Sequence, residues 1–353
     1  MCSGIVLLSR EGAVRIPNVS LKCVVYIGNA TAKGTFKAKG TGFIVSLQRV
    51  EDEPPIFYLV TADHVRRGLV DDRNFAIRIN DSDGKAQIVK SPSAFKWWRH
   101  SSDTSVDAAV YPWTNRDYPF AAFPVNRFVT EAQTVFKRDS DPGIGIGDEV
   151  FITGLFWKRA GQEQITPVVR HGHIAMMATE RIPTKHYGPA YMHLIEAFTT
   201  AGLSGSPVFV NETVYFEYRG SRPRAYPENQ AINPVGMAIG PTHILGLVHG
   251  MMPTETMVEL NDPEIDPKQK WHSGISMVVP SNQILEIINQ PELIEYEPKV
   301  EQAVKDGKPI ETALNEDVQT EKSKRKNQDK PIPPISRKKF FGKLTKATLR
   351  RNS

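Results

Sequence analysis

The chain has 353 residues, 40% of them hydrophobic, with a formal charge of +5. That is enough apolar material for a sizeable core, and it excludes a small disulfide-stapled scaffold and a wholly disordered chain. The charge is uneven: residues 321–353 hold twelve Lys or Arg against Glu321 and Asp329, which leaves residues 1–320 at −5. The pI near 9.0 therefore belongs to the tail and is no argument that the folded body binds nucleic acid. Cys2 and Cys23 are the two cysteines, a usage that fits a reducing compartment. No basic residue precedes the short apolar run Ile5 to Leu8, and no stretch approaches the roughly 18 uninterrupted apolar residues of a membrane span. A cytoplasmic protein without signal or anchor is expected.

In chain order the sequence reads as short strands separated by turns. Leu21 to Ile27, Gly40 to Val45 and Ile56 to Thr61 are apolar and β-branched, and the third ends in Thr61-Ala62-Asp63-His64-Val65. Phe75 to Ile79 is a further strand, Asp81 to Gly84 a turn, and Lys96-Trp97-Trp98-Arg99 an aromatic pair between cations that suits either a packed edge or a contact surface. Val106-Asp107-Ala108-Ala109-Val110 places a carboxylate in an apolar run, where an unpaired charge is costly, so Asp107 needs a partner. Gly143 to Gly154 is a turn feeding a strand; it lacks the spacing and following helix of a phosphate loop. Val168 to Ala175 and Tyr191 to Phe198 are strands leading to Thr199-Thr200-Ala201-Gly202-Leu203-Ser204-Gly205-Ser206-Pro207-Val208. Beyond this loop lie an extended insertion over about 211–240, strands at Ile244 to Gly250 and Gly274 to Val279, and a short helix from Ser281 with Pro291 as its stop.

A serine between glycines and closed by proline fits two readings, a tight turn and a nucleophile loop. In acyl transfer a hydroxyl attacks a carbonyl while backbone N–H groups face the oxygen that becomes negative, and glycine lets the backbone approach. Gly202 and Ser204 would supply those donors. His64, Asp107 and Ser204 follow one another in an order that suits a base, its orienting acid and a nucleophile, each at or beside a strand end.

With Gly40 to Val45, Thr61 to Val65, Asp107 to Val110, Gly147 to Val150, Gly172-His173-Ile174, Gly202 to Pro207 and Gly274 to Asn282 in this order, the sequence resembles the trypsin-like serine peptidases. The resemblance covers residues 20–290 and is nearest to the bacterial branch of the HtrA/Deg proteases, without PDZ domains. It implies an all-β fold of two six-stranded antiparallel β-barrels with the active site between them. It further implies a serine endopeptidase with catalytic residues His64, Asp107 and Ser204, an oxyanion hole at Gly202 and Ser204, and no metal or cofactor. The substrate subsite would be walled by Phe198, Thr199, Val248 and His249; no acid among them suits Lys or Arg, so a medium apolar or small side chain is expected. An inactive trypsin-like domain that binds proteins is the alternative function.

Three departures from the family pattern matter. Leu203 stands where trypsin has the aspartate that receives a newly cut N-terminus, so activation of that type is not expected. Ser206 replaces a glycine, and Asp63 replaces a small residue beside His64 and is placed to compete for it. Residues 1–19 are expected as a lead-in, 291–335 as a flexible linker poor in apolar residues, and 336–353 as a disordered basic tail. In that tail Phe340, Phe341 and Leu344 would form an apolar stripe edged by Lys and Arg if helical, fit for an anionic membrane, nucleic acid or an acidic protein.

Overall fold

The computed structural model describes residues 16–305 except 32–33, 72–73, 92–94, 115–119, 131–133, 135–142, 157–160, 162, 185–186, 218–234 and 253–273. The first half is built on β1 (Val24–Ala30), β2 (Phe36–Leu47), β3 (Ile56–Thr61), β4 (Ala76–Asn80), β5 (Ala86–Lys90), β6 (Ala109–Trp113) and the two-residue β7 (Phe123–Pro124). They form one sheet in the order β5-β4-β1-β2-β3-β6, with β7 parallel to β2. A turn of helix, α1 (Asn18–Lys22), precedes β1; another, α2 (Asp63–Arg67), follows β3. The second half contains β8 (Glu149–Gly154), β9 (Val168–Met176), β10 (Arg181–Thr184), β11 (Gly188–Tyr191), β12 (His193–Glu196), β13 (Pro207–Glu217), β14 (Val235–Met251) and β15 (Ile275–Pro280). Six of these close a barrel in the order β12-β15-β14-β13-β8-β9, and β10 pairs with β11 as a separate hairpin.

The fold is thus mostly β with one closed barrel. The expected second closed barrel is not formed by the described strands. The free edge of β6 is met by a single bridge, Trp98 with Val110, and not by β5.

The apolar runs are continuous because both faces of the barrel wall are covered. Val150, Ile152, Val208, Val210, Leu245, Val248 and Val278 point into the barrel. Their neighbours Phe151, Phe209, Ile244, Leu247, Met277 and Val279 point outward and belong to the core of the first half. Phe209 stacks on Phe151 with centroids 5.1 Å apart and meets Phe123 of β7 at the same distance. Two β strands extend into the stretch read as an insertion, pairing as far as Glu217 with Val235. The strand expected over Tyr191 to Phe198 is split, since Met192 separates β11 from β12.

At the C-terminal end, α3 (Ser281–Ile288) is followed at once by α4 (Pro291–Lys305). Pro291 therefore begins a second helix, where its missing N–H costs nothing, and does not simply end the first. Residues 291–305 were expected within a linker on composition, yet Leu293 and Val300 are buried in the first core and Tyr296 packs near Phe95 and Trp98. Glu297, also buried, accepts Arg49 through Nε at 2.6 Å and Nη2 at 2.7 Å, as well as the hydroxyl of Tyr58. Arg49 Nη2 also donates to the carbonyl of Ile288 at 3.1 Å. The sparse apolar positions of α4 suffice because a bidentate ion pair adds to them. The rest of the expected linker and the basic tail, 306–353, lie outside the described residues. Among the described residues no helix is long and apolar enough to cross a membrane.

Two stability predictions follow from these contacts. Glu297→Ala should lower unfolding free energy by about 2–3 kcal/mol in denaturant titration, since it strands Arg49 and Tyr58, with Arg49 partly solvated. His193 opens β12, accepts the amide of Ala178 on Nδ1 at 3.0 Å, and is pushed by burial down to about 4. Its proton is bound more readily in the unfolded chain, so stability falls as pH drops from about 6.5 through 4. His193→Gln should flatten that window relative to wild type by on the order of 3 kcal/mol, measured by denaturation at pH 7, 5.5 and 4.

Candidate active site

Strand register brings His64 and Asp107 together. β3 and β6 are antiparallel, with Thr61 opposite Ala109, so two residues beyond each strand end the chain carries residue 63 on one side and Asp107 on the other. The turn of α2 then lifts His64 over the carboxylate. Its backbone N–H donates to Asp107 Oδ1 at 2.8 Å, and its ring Nδ1 meets Oδ2 at 2.7 Å. Asp107 is 0% exposed, whereas the His64 side chain keeps 32% of its surface in solvent.

A second imidazole shares the same oxygen. His249, 8% exposed, places Nδ1 at 2.6 Å from Asp107 Oδ2, and the two histidine rings stand edge to face with centroids 5.8 Å apart. Burial pushes the Asp107 carboxyl up, but the bonds from His249 and His64 outweigh it and hold the group well below the usual carboxylate range. With Asp107 ionised, both rings donate through Nδ1–H, leaving Nε2 of His64 as the position that can accept a proton. One ligand atom each of His64, Asp107 and His249 lies within 4.8 Å of the others, as the ligands of a metal would. The separations of 2.7 and 2.6 Å are hydrogen-bond lengths, however, and two ligands on one tetrahedral zinc stand about 3.3 Å apart. The arrangement does not fit a metal without opening both bonds.

The serine loop joins β12 to β13 and is docked by β2. Thr41 N–H donates to the Ser204 carbonyl at 3.0 Å, and Thr41 Oγ1 donates to the Gly202 carbonyl at 2.7 Å. Gly205 has φ +82°, and a Cβ there would lie 2.2 Å from the Thr41 carbonyl oxygen. Glycine is required at this position by conformation and by space. Within the loop the amides of Leu203, Gly205 and Ser206 donate to the carbonyls of Thr200, Val248 and Leu203. Those of Gly202 and Ser204 donate to nothing among the described residues. Ser204 Oγ is partly exposed and donates to the His249 carbonyl at 3.5 Å; it makes no hydrogen bond to His64 among the described residues. Ser206, by contrast, is fully buried, its hydroxyl turned toward Gly154 and without a hydrogen-bond partner among the described residues.

The remaining expected site residues separate. Phe198 is 49% exposed beside the loop, but Thr199 is buried with its hydroxyl on Ser276 Oγ at 2.8 Å. Val248 lies in the barrel core, so its side chain cannot wall a subsite; the inward face of β14 takes it. His249 is turned to Asp107 and away from the role of a subsite wall. Asp63 does not compete for His64, because Arg66 at 2.7 Å and Arg67 at 3.2 Å neutralise it. Leu203 is core.

Three participants have no distinctive sequence signal. Thr41 is marked only by the glycines on both sides. Tyr187, before β11, sets its ring edge to face on His249 at 5.8 Å, and Arg67 lies over the Tyr187 ring at 4.5 Å. A separate cavity of about 1090 Å³ is lined by His100, Asp103, Arg181, Tyr191, His193 and Glu286 among others, but by none of His64, Asp107 and Ser204. Its charged groups pair with each other, as in Arg181 with Asp103 at 2.5 Å and His100 with Glu286 at 2.6 Å.

No family model and no curated protein matches the sequence. Among solved structures the chain is similar to Deg5, at 17% identity and a TM-score of 0.35, over 55% of this chain and 80% of that one. It is likewise similar to an inactive mutant form of Rv3671c from M. tuberculosis H37Rv, at 16% identity and a TM-score of 0.35, over 76% of this chain and 87% of that one.

Two adjacent positions of the serine loop predict opposite outcomes. Gly205→Ala should cost more than about 2 kcal/mol, through strained φ and the contact with Thr41. Ser206→Ala removes an unpartnered buried hydroxyl and should leave stability unchanged or raise it by about 1 kcal/mol. Denaturant titration of both variants checks the ordering, and an unaffected Gly205→Ala would mean the loop is docked differently.

Proposed function

We propose that this chain is a serine endopeptidase in which Ser204 is the nucleophile, His64 the general base and acid, and Asp107 the group that orients His64. The observation that supports the reading most directly is the buried Asp107 carboxylate held against both the backbone and the ring of His64, with Nε2 left as the basic position. The partly exposed Ser204 on a glycine loop with two uncommitted amides adds to it.

The chemistry proceeds from these groups. Rotation about the Cα–Cβ bond takes Ser204 Oγ off the His249 carbonyl and toward His64 Nε2, which accepts its proton as Oγ attacks the substrate carbonyl. Gly202 and Ser204 N–H face the resulting oxyanion. Asp107 stabilises the imidazolium, which returns the proton to the leaving amine; water then hydrolyses the acyl-enzyme by the same steps. In this reading the seven-stranded first half stands as the counterpart of the closed barrel, and the two together form the double-barrel peptidase fold. Phe198 and Thr199 offer no carboxylate, which favours a small or medium apolar residue before the cut bond. The protein acts in the cytoplasm, and residues 336–353 bring it to an anionic surface.

A second reading, an inactive domain that binds proteins, is favoured by one observation: Ser204 Oγ faces the His249 carbonyl at 3.5 Å and makes no hydrogen bond to His64 among the described residues. A fluorophosphonate probe separates the two. Labelling of Ser204 in wild type, lost in a folded Ser204→Ala variant together with hydrolysis of peptides bearing Ala or Val before the cut, is the expected result. Combining His64→Ala with Ser204→Ala should cost little more than either alone. Absence of labelling in folded wild-type protein would overturn the peptidase reading and favour the scaffold one.

A further inference from the structure

His249 lies at an irregularity in the barrel. β14 pairs with β15 through Val248 with Val278 and Gly250 with Met277, so His249 is the extra residue of a bulge. With Val248 facing inward, the next residue along the strand faces out of the barrel wall. The His249 ring therefore leaves the barrel core and meets Asp107 from the first half. The neighbouring backbone is fixed at the same time: Val248 exchanges hydrogen bonds with the serine loop, accepting from Gly205 N–H and donating to the Ser206 carbonyl, both at 2.9 Å. The carbonyl of His249 itself receives Ser204 Oγ. One residue thus touches the carboxylate through its ring and the serine through its backbone.

We propose that His249 is a positioning residue that divides Asp107 with His64, a role that rests on the peptidase reading and adds a second imidazole to it. Asp107 Oδ2 accepts two Nδ1–H donors at nearly equal length, so part of its charge is committed to His249 and the carboxylate is fixed in orientation from the barrel side. The titratable and charged groups around His249 among the described residues are Asp107, His64 and Tyr187, with Arg67 over Tyr187 and tied to Asp63, which also holds Arg66. Tyr187 packs against the ring edge to face, limiting its rotation away from Asp107.

The test uses His249→Asn, whose amide can reproduce the Nδ1–H donor, and His249→Leu, which cannot. In His249→Leu, kcat should fall about 10-fold to 100-fold with KM little changed. The acid limb of its kcat/KM profile should move up by roughly half a pH unit, because the whole carboxylate then supports protonation of His64. His249→Asn should recover most of kcat and of the wild-type profile. Proton NMR of the full chain supplies a readout independent of activity: two downfield imidazole N–H signals in wild type, one lost in His249→Leu and the other in His64→Ala. Equal losses in His249→Asn and His249→Leu with an unmoved acid limb, or a single downfield signal in wild type, would overturn the proposal. If His249→Leu does not fold, His249→Asn and the wild-type spectrum still decide it. Two signals in a protein that fluorophosphonate does not label would sink the peptidase reading while leaving the shared carboxylate standing.

Discussion

Thr41 uses every polar atom it has at the junction of sheet and barrel. Its amide donates to Ser204, its carbonyl accepts the Thr61 hydroxyl at 2.7 Å, and its own hydroxyl donates to Gly202 while accepting Leu155 N–H at 2.9 Å. The residue is buried, so none of these groups could fall back on water if its partner moved. Thr61 ends the strand that leads into His64, and Gly202 and Ser204 belong to the loop opposite. The proposed base and the proposed nucleophile are therefore placed by the same few bonds, and each half of the molecule fixes part of the other's site.

Asp107 carries the complementary constraint. A fully buried carboxylate is among the costlier groups a fold can hold, and it stays ionised here because three N–H donors converge on it. Two come from α2 and one from the bulge in β14, so the charge acts as a tie between sheet and barrel as well as an orienting group. Removing a donor would leave part of that charge uncompensated.

Much of this was legible in the residues. Alternating and continuous apolar runs located most strands, and the isolated acid in Val106 to Val110 announced a need for partners. That need pointed to His64 because the chain order and strand ends agreed. What escaped had physical reasons. Val248 and His249 cannot both wall a subsite, because adjacent strand residues face opposite sides; what the sequence does not show is that the outward side of β14 here meets the buried Asp107. Thr41 has no signature because its role is made by backbone atoms. Residues 291–305 looked too polar to order; composition could not show that Arg49, more than two hundred positions earlier, waits for Glu297. Closure of the barrel depends on long-range register, and the failure of β5 and β6 to pair with each other is likewise invisible to local pattern.

The clamp at Glu297 bears on the site even though it is remote from it. Thr41 and Arg49 are eight residues apart along and just past β2, a span on the order of 25 Å at the rise of an extended strand. At one end the strand is bonded to the serine loop, and just past the other, through Arg49, to Glu297 of α4. Two attachments at such a separation resist rotation of sheet against barrel far better than either alone. The continuous outer core of Phe151, Phe209, Leu247 and Val279 fills the space between them. Preorganised donors are effective only when their distance from the reacting groups is fixed before substrate arrives. Here that rigidity comes from the whole length of one strand, with the C-terminal helix as its far anchor.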